Sequence, residues 1–366
     1  MRGRVCAAVA ALALGTAPIA ALAQDELLTV VPVDVVEASH GRDVAGSPEL
    51  WADHGRYRYQ FSDDESLERF LKRPEAYEVM WDGACGRMGP LSGRGSPERY
   101  AIHEGRVFLF ASEQCRQTFL AAPERCIERE ERPPAPGEGD HARGRELIDL
   151  AVVGMGGGNA VDGVRVLREV RVKPDSKDAP AGPDRVVTTY ILPDAVHRSE
   201  VWGDWYFSTW ARRTSGATRI KDGKPDPMGP DACRAMDQAM SRHPLVILRA
   251  RNNAEFVASR DGQGQVGVTA VEYVTVFCGQ ARTRLGIDPQ SGRVLSATHQ
   301  GRGARSLVGE VARTYADFRD VGGGLILAHE STATFDGEPF GPLDVRLQTI
   351  EINPALEPGL LGEGEG

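Results

Sequence analysis

Between residues 186 and 352 the chain repeats one pattern: a run of alternating or β-branched residues, then a tight cluster of Gly, Asp and Pro, then another run. The runs 186–192, 266–277, 282–287, 293–298, 310–319, 325–335 and 345–352 read as strands. The breaks Asp288-Pro289-Gln290-Ser291-Gly292, Asp320-Val321-Gly322-Gly323-Gly324 and Asp336-Gly337-Glu338-Pro339 are far shorter than the crossover a parallel pair needs. They suit hairpins, so consecutive strands are expected to form one long antiparallel meander. Two helical stretches interrupt the pattern. Leu147, Ile148, Ala151, Val152 and Met155 fall at helical spacing and stop at Gly156-Gly157-Gly158. The glycine triplet is not a phosphate loop, because no strand precedes it and no Gly-Lys-Ser/Thr follows. Between Pro230 and Asn252, Ala232, Met236, Ala239 and Met240 share a helical face, and Leu245, Ile247 and Leu248 follow.

A second feature divides the chain. From Glu128 to Gly144 the charges alternate, Pro133-Pro134-Ala135-Pro136-Gly137 intervenes, and no apolar residue exceeds Ala or Pro in size. Such a segment buries too little to offset its ordering entropy, so 128–143 reads as a linker. The same reasoning makes 357–366 a disordered tail. Ahead of the linker lies an internal repeat. Tyr57-Arg58-Tyr59-Gln60-Phe61 with Phe70-Leu71-Lys72-Arg73-Pro74-Glu75 recurs as Arg106-Val107-Phe108-Leu109-Phe110 with Phe119-Leu120-Ala121-Ala122-Pro123-Glu124. Each copy reads as a strand, a capped turn and a short helix stopped by proline, with Ser62 or Asp63 capping the first helix and Ser112 with Glu113 the second. The two copies are expected to share one small core.

Residues 1–23 read as a secretory signal: Arg2 and Arg4, an apolar run, then Ala21-Leu22-Ala23 before Gln24. The run is too short to stay as a membrane span, and no later stretch is long and apolar enough. A periplasmic or secreted location is expected. The formal net charge is −9, and cleavage would remove two arginines more. A surface this acidic repels phosphate backbones, so nucleic acid is not the expected partner. After cleavage Cys85, Cys115, Cys126, Cys233 and Cys278 remain, an odd number for an oxidising compartment.

Asp82-Gly83-Ala84-Cys85-Gly86-Arg87-Met88 resembles the D-P-V-C-G-M signature of the YHS domain family, and Gly105 to Cys115 resembles its G-x-x-Y-x-F-C-S-x-x-C. The likeness spans about 46–126. Members occur in metal-handling proteins and in many exported ones, which implies a small module with a thiolate site. This chain has Ala111 where metal-binding versions carry a further Cys, so a three-thiolate site is not available. Cys115 nevertheless sits just past the Ser112 cap, where free helix N–H groups favour a thiolate. Either Cys85, Cys115 and His103 hold a soft ion such as Cu or Zn, or Cys85, Cys115 and Cys126 supply a disulfide or buried thiols.

The helix ending in Met155-Gly156-Gly157, the run from Tyr315 to Gly323 and the close Ile350-Glu351-Ile352-Asn353-Pro354 resemble the "A-M-G-G", "D-Y-R-x-V-D-G" and "v-x-I-N-P" motifs of LolA/LolB periplasmic lipoprotein carriers. The resemblance covers most of 143–356. It implies an apolar cavity for lipid or lipoprotein acyl chains, lined or covered by Met236, Met240, Leu245 and Leu248; flexible Met side chains suit irregular lipid surfaces. Those four otherwise read as ordinary core. Cys233 and Cys278 are the natural disulfide of this unit. The expected fold is α+β: a small duplicated YHS-like α/β module over 24–127, then over 144–356 a curved antiparallel sheet, or half-barrel, with helices on its concave face.

No H-E-x-x-H, G-x-S-x-G or His pair at metal spacing occurs. His329-Glu330-Ser331 lies on a strand, where neighbours point to opposite faces. Trp202, Trp205, Tyr206 and Trp210 cluster, as carbohydrate or lipid contacts do and as core aromatics do. The expectation is a binding protein for a hydrophobic ligand, not an enzyme; metal or thiol chemistry is the alternative, and an unidentified hydrolase a further one.

Overall fold

The computed structural model describes residues 28–361 apart from 130–131, 134, 174–182, 204–205, 222–223, 304–305 and 341–345. The leader 1–23, Trp205 and residues 362–366 lie outside the described residues, as does the side chain of Tyr206.

The chain enters through β1 (Thr29–Val31), α1 (Val35–Ser39), β2 (Ser47–His54), β3 (Tyr57–Phe61) and α2 (Asp64–Lys72). β3 is central, parallel to β1 and antiparallel to β2. Asp63 caps α2 by accepting from the Ser66 N–H at 2.8 Å. Ser62 instead donates to Asp34, whose buried carboxylate also caps α1 through Val36 and Glu37. A second hairpin and helix follow, β4 (Ser96–His103), β5 (Arg106–Phe110) and α3 (Glu113–Ala121). Ser112 caps α3 through the Cys115 N–H at 3.2 Å.

Strand alternation splits β5 between two interiors. Val107 and Leu109 join Tyr57, Tyr59, Phe61 and Phe70. Phe108 and Phe110 face the other way, onto Cys85, Cys115, Phe119 and Cys126. The single shared core expected from the sequence is therefore two cores with β5 between them, because both faces of that strand are apolar.

Beyond the proline segment, α4 (Glu138–Gly154) begins with Glu138 and Asp140 in its first turn, where carboxylates favour the helix N-terminus. After α5 (Gly158–Asp162) come β6 (Val166–Val172), β7 (Arg185–Ile191), β8 (Ala195–Trp202), β9 (Tyr206–Arg213), β10 (Gly216–Lys221) and β11 (Lys224–Met228), an antiparallel meander. Two helices, α6 (Pro230–Ser241) and α7 (Pro244–Arg249), interrupt it. A second meander runs through β12 (Val257–Val266), β13 (Thr269–Cys278), β14 (Ala281–Ile287), β15 (Val294–Arg302), β16 (Val308–Asp320), β17 (Ile326–Phe335) and β18 (Glu338–Pro339). The last strand, β19 (Arg346–Ile352), pairs with β6 and lies beside β17. One continuous sheet was expected. Two seven-stranded sheets form instead, because α6 and α7 separate β11 from β12 and β19 returns to the first sheet. The class is α+β with open, antiparallel C-terminal sheets, and no described helix is long and apolar enough to cross a membrane.

The main core lies where α4 and α7 meet both sheets. Leu147, Ile148, Leu167, Leu245, Ile247, Leu248, Val274, Leu285 and Ile287 are fully buried there. Each such side chain contributes about 1.5–3 kcal/mol. Arg143 on α4 adds an ion pair with Glu272 on β13. The far end of α4 rests directly on the β14–β15 turn: a Cβ at Gly154 would overlap the backbone of Gly292 and Ser291. Gly154→Ala is expected to cost about 1–3 kcal/mol, although alanine is the better helix former, since neither backbone can yield. Thermal unfolding checks this; an unchanged midpoint would place slack between α4 and the turn.

The N-terminal unit docks on the sheets through arginines. Arg94 pairs with Asp226 at 2.8 Å and Arg125 with Asp336 at 2.6 Å. Arg302 donates to the carbonyls of Arg87 (3.2 Å), Cys126 (2.6 Å) and Ser306 (3.1 Å) beneath the Trp81 ring.

Candidate functional site

A cavity of about 470 Å³ lies between the two C-terminal sheets. Its walls follow from strand pairing. On the first sheet Glu169, Thr188 and Arg198 lie side by side across β6, β7 and β8, and Arg171, Val186 and Glu200 form the adjacent row. On the second sheet Ala297 of β15 stands opposite Arg313 of β16, and Tyr315 opposite Ser331 of β17. The end of α4 contributes Ala151 and Met155, and the α6–α7 junction contributes Ala239, Arg242, His243 and Pro244. Exposed Trp202, Arg293 and Glu330 are also in the lining, so the cavity reaches the surface.

The inner end is ionic. Glu169, 5% exposed, receives Arg171 at 3.1 Å and His243 Nε2 at 3.3 Å. The Leu245 N–H donates to His243 Nδ1 at 3.2 Å, capping α7 and leaving the imidazole proton on Nε2, toward Glu169. Burial alone would raise the Glu169 pKa; Arg171 and His243 overcome it and hold the carboxyl far below the usual range. Burial raises the phenol pKa of both Tyr190 and Tyr315, so both hydroxyls keep their protons. Arg313 donates to Ser331 Oγ at 3.1 Å, and no carboxylate lies within ion-pair distance of it among the described residues. Burial pulls its pKa down, with Arg171 adding to that effect, yet a guanidinium stays charged. Burial, followed by Arg242 and Arg313, lowers His299 to about 3, so this imidazole is neutral.

None of the four residues expected to line a lipid cavity does so. Leu245 and Leu248 are fully buried in the main core, Met236 packs with Val196 and Ala217, and Met240 bridges those two clusters. The helices reach the cavity through their junction instead. The wall is also not purely apolar, as the LolA/LolB resemblance implied. Glu169, Arg171, Arg313 and Tyr315 escaped the sequence reading, although each has a signal. Glu169 and Arg171 are in phase with buried Leu167, and Arg313 and Tyr315 with buried Val311, so charge sits on the inward face of a strand. Trp202 stands at the mouth, whereas Trp210 is half-buried on β9.

The structure brings Cys85 and Cys115 together but not His103, which packs edge-on to Phe119. Among the described residues no three His, Cys, Asp or Glu side chains are arranged to hold a metal ion. Burial raises the Cys85 pKa; at Cys115 burial is outweighed by hydrogen bonds from Ser112, Arg87 and Cys85, and the net shift is downward. Cys85, Cys115 and Cys126 are free thiols, and so are Cys233 and Cys278, which correct the expected disulfide. Cys278 joins the main core while Cys233 on α6 packs beside Ala217 and Met236.

No family model matches the chain, and no curated protein is similar to it. The YHS resemblance thus rests on its quoted motifs alone. Among solved structures, a LolA superfamily protein from Nitrosomonas europaea is similar at 9% identity and TM-score 0.33, over 52% of this chain and 85% of that one. A DUF1329 family protein from Desulfovibrio piger is similar at 10% identity and TM-score 0.30, over 60% of this chain and 97% of that one. Likenesses this weak carry no argument, and the cavity stands on its own geometry.

Proposed function

We propose that this chain is an exported, non-catalytic binding protein that holds one small amphiphile between its C-terminal sheets. The observation that carries the reading is the cavity of about 470 Å³, open at Trp202 and walled on both sides by strands. That size lies in the range of about 300–1,000 Å³ used for small-molecule ligands. Apolar Val186, Val294, Ala297, Leu327 and Met155 offer a tail contact beside the polar Glu169, Arg171, Arg313 and Tyr315. Export is part of the same proposal and is supported by the charge and hydropathy pattern of residues 1–23.

Titration of the full chain with cis-parinaric acid, a fluorescent fatty acid, tests the proposal. Ala297→Phe and Val186→Phe fill the cavity from opposite walls, and each should weaken binding at least tenfold. Val268→Ala, altered at a fully exposed turn, should bind as the parent does. Absence of binding to the parent chain, or equal affinity in both filled variants once their folding is verified by circular dichroism, would remove the proposal.

A further inference from the structure

Hydrogen-bond donors at the inner end of the cavity outnumber their acceptors. Arg313 has Ser331 as its hydrogen-bond partner, with no carboxylate in ion-pair distance among the described residues. Among the described residues, neither the Tyr190 nor the Tyr315 hydroxyl has a hydrogen-bond partner. Both line the cavity, and neither is a sealed polar atom, so their donors open onto the hollow. Glu169 is the acidic group facing them, and it is already engaged by Arg171 and His243. Arg198 is likewise taken by Glu200 at 2.6 Å, and Arg242 by Glu128. Neutral His299 adds no charge. Among the described residues the lining carries five arginines against three glutamates, and Glu128 behind it takes one of the five. Arg313 is half-buried, and Glu169, whose charge reaches it, is already committed to Arg171 and His243; a cavity of this size can admit a further anion that would neutralise it.

We infer that the ligand is an anionic amphiphile whose oxyanion head, a carboxylate or a phosphate, sits against Arg313 and accepts from the Tyr315 and Tyr190 hydroxyls. This rests on the cavity being an amphiphile site, as proposed above. Planar guanidinium donors match an oxyanion in two-point geometry, and the two phenols supply acceptor-seeking donors that a neutral alcohol head would leave partly unused. The tail takes the apolar part of the lining, Val294, Leu327 and Met155. A ligand with a cationic head would be repelled by the same end.

Calorimetric titration of the full chain with dodecanoate, dodecyl phosphate, 1-dodecanol and acetate separates the contributions. Dodecanoate or dodecyl phosphate should bind at least tenfold more tightly than dodecanol, and the stronger of the two identifies the head. Acetate should bind at least a hundredfold more weakly than dodecanoate. Arg313→Met should abolish the preference for the anion while dodecanol still binds, and Arg313→Lys should restore part of it. Tyr315→Phe keeps the ring and should reduce the preference several-fold, so the test stands even where Arg313→Met fails to fold. Equal affinity for dodecanoate and dodecanol, or a preference that survives both Arg313→Met and Tyr315→Phe, overturns the inference and leaves the amphiphile site intact. Failure of every twelve-carbon ligand and of cis-parinaric acid to bind strikes the site itself.

Discussion

Glu169→Ala is expected to destabilise the fold by about 3–5 kcal/mol, the cost of stripping one partner from a buried ion pair. The carboxylate is 5% exposed and holds Arg171 and His243 together, with a third cation, Arg313, close enough to feel its charge. Without it, Arg171 and Arg313, which already repel each other, lose the carboxylate that offsets both. Glu169→Gln, which keeps an acceptor for His243 but loses the charge, should fall between the parent and the alanine variant. Urea unfolding at neutral pH measures both. A loss below about 1 kcal/mol would mean that solvent in the cavity screens the arginines as well as the carboxylate does.

Stability should decline as the pH falls from 6.5 toward 3, and His299 should carry much of the change. Its folded pKa is lowered to about 3, first by burial and then by Arg242 and Arg313, against 6.5 for the free side chain. Between those values the unfolded chain binds a proton that the folded chain refuses, so stability rises with pH across the window and is complete above 6.5. The slope approaches about 1.4 kcal/mol per pH unit, or about 2 kcal/mol lost by pH 5. Burial lowers His197 as well, which adds in the same sense, and Glu169 joins only below its unfolded value of 4.5. Denaturation of the parent and of His299→Leu at pH 7.5 and pH 5.0 checks the assignment. The variant should lose most of the difference; an identical drop in both proteins would assign the acid sensitivity elsewhere.

The turns were legible because their chemistry is local. Asp288 accepts from the Gln290 N–H and the Ser291 hydroxyl, and Gly292 takes a positive φ, all within five residues. Asp336 and Gly337 close β17 onto β18 with positive φ at both positions. The end of α4 at Met155 is equally local, since Gly156 and Gly157 adopt backbone angles that other residues avoid. Strands without alternation were not legible. β11 reads Lys-Pro-Asp-Pro-Met, which no periodicity test marks as a strand, and it exists as the edge partner of β10.

Met236, Met240, Leu245 and Leu248, read either as lipid lining or cover or as ordinary core, lie in packed core for a different reason. An amphipathic face says which residues leave water, not whether they meet another helix or a void. Pro244 at the first position of α7 and His243 at its cap turn Leu245 and Leu248 toward α4, and close packing consumes them. The same ambiguity hid Arg313, because a charged residue on a strand ordinarily marks the solvent side.

By itself the amino-acid order determined where the chain turns, where its helices stop and which residues share a side of each strand, since those depend on neighbours within a few positions. Only the tertiary structure decided that α6 and α7 divide the strands into two sheets, that β19 returns to β6, and that Arg313, Tyr315, Tyr190 and Glu169 confront one another across a hollow. These residues are distant in sequence and come from separate strands. Their meeting depends on how far apart two packed layers stand, a quantity that no local pattern of residues encodes.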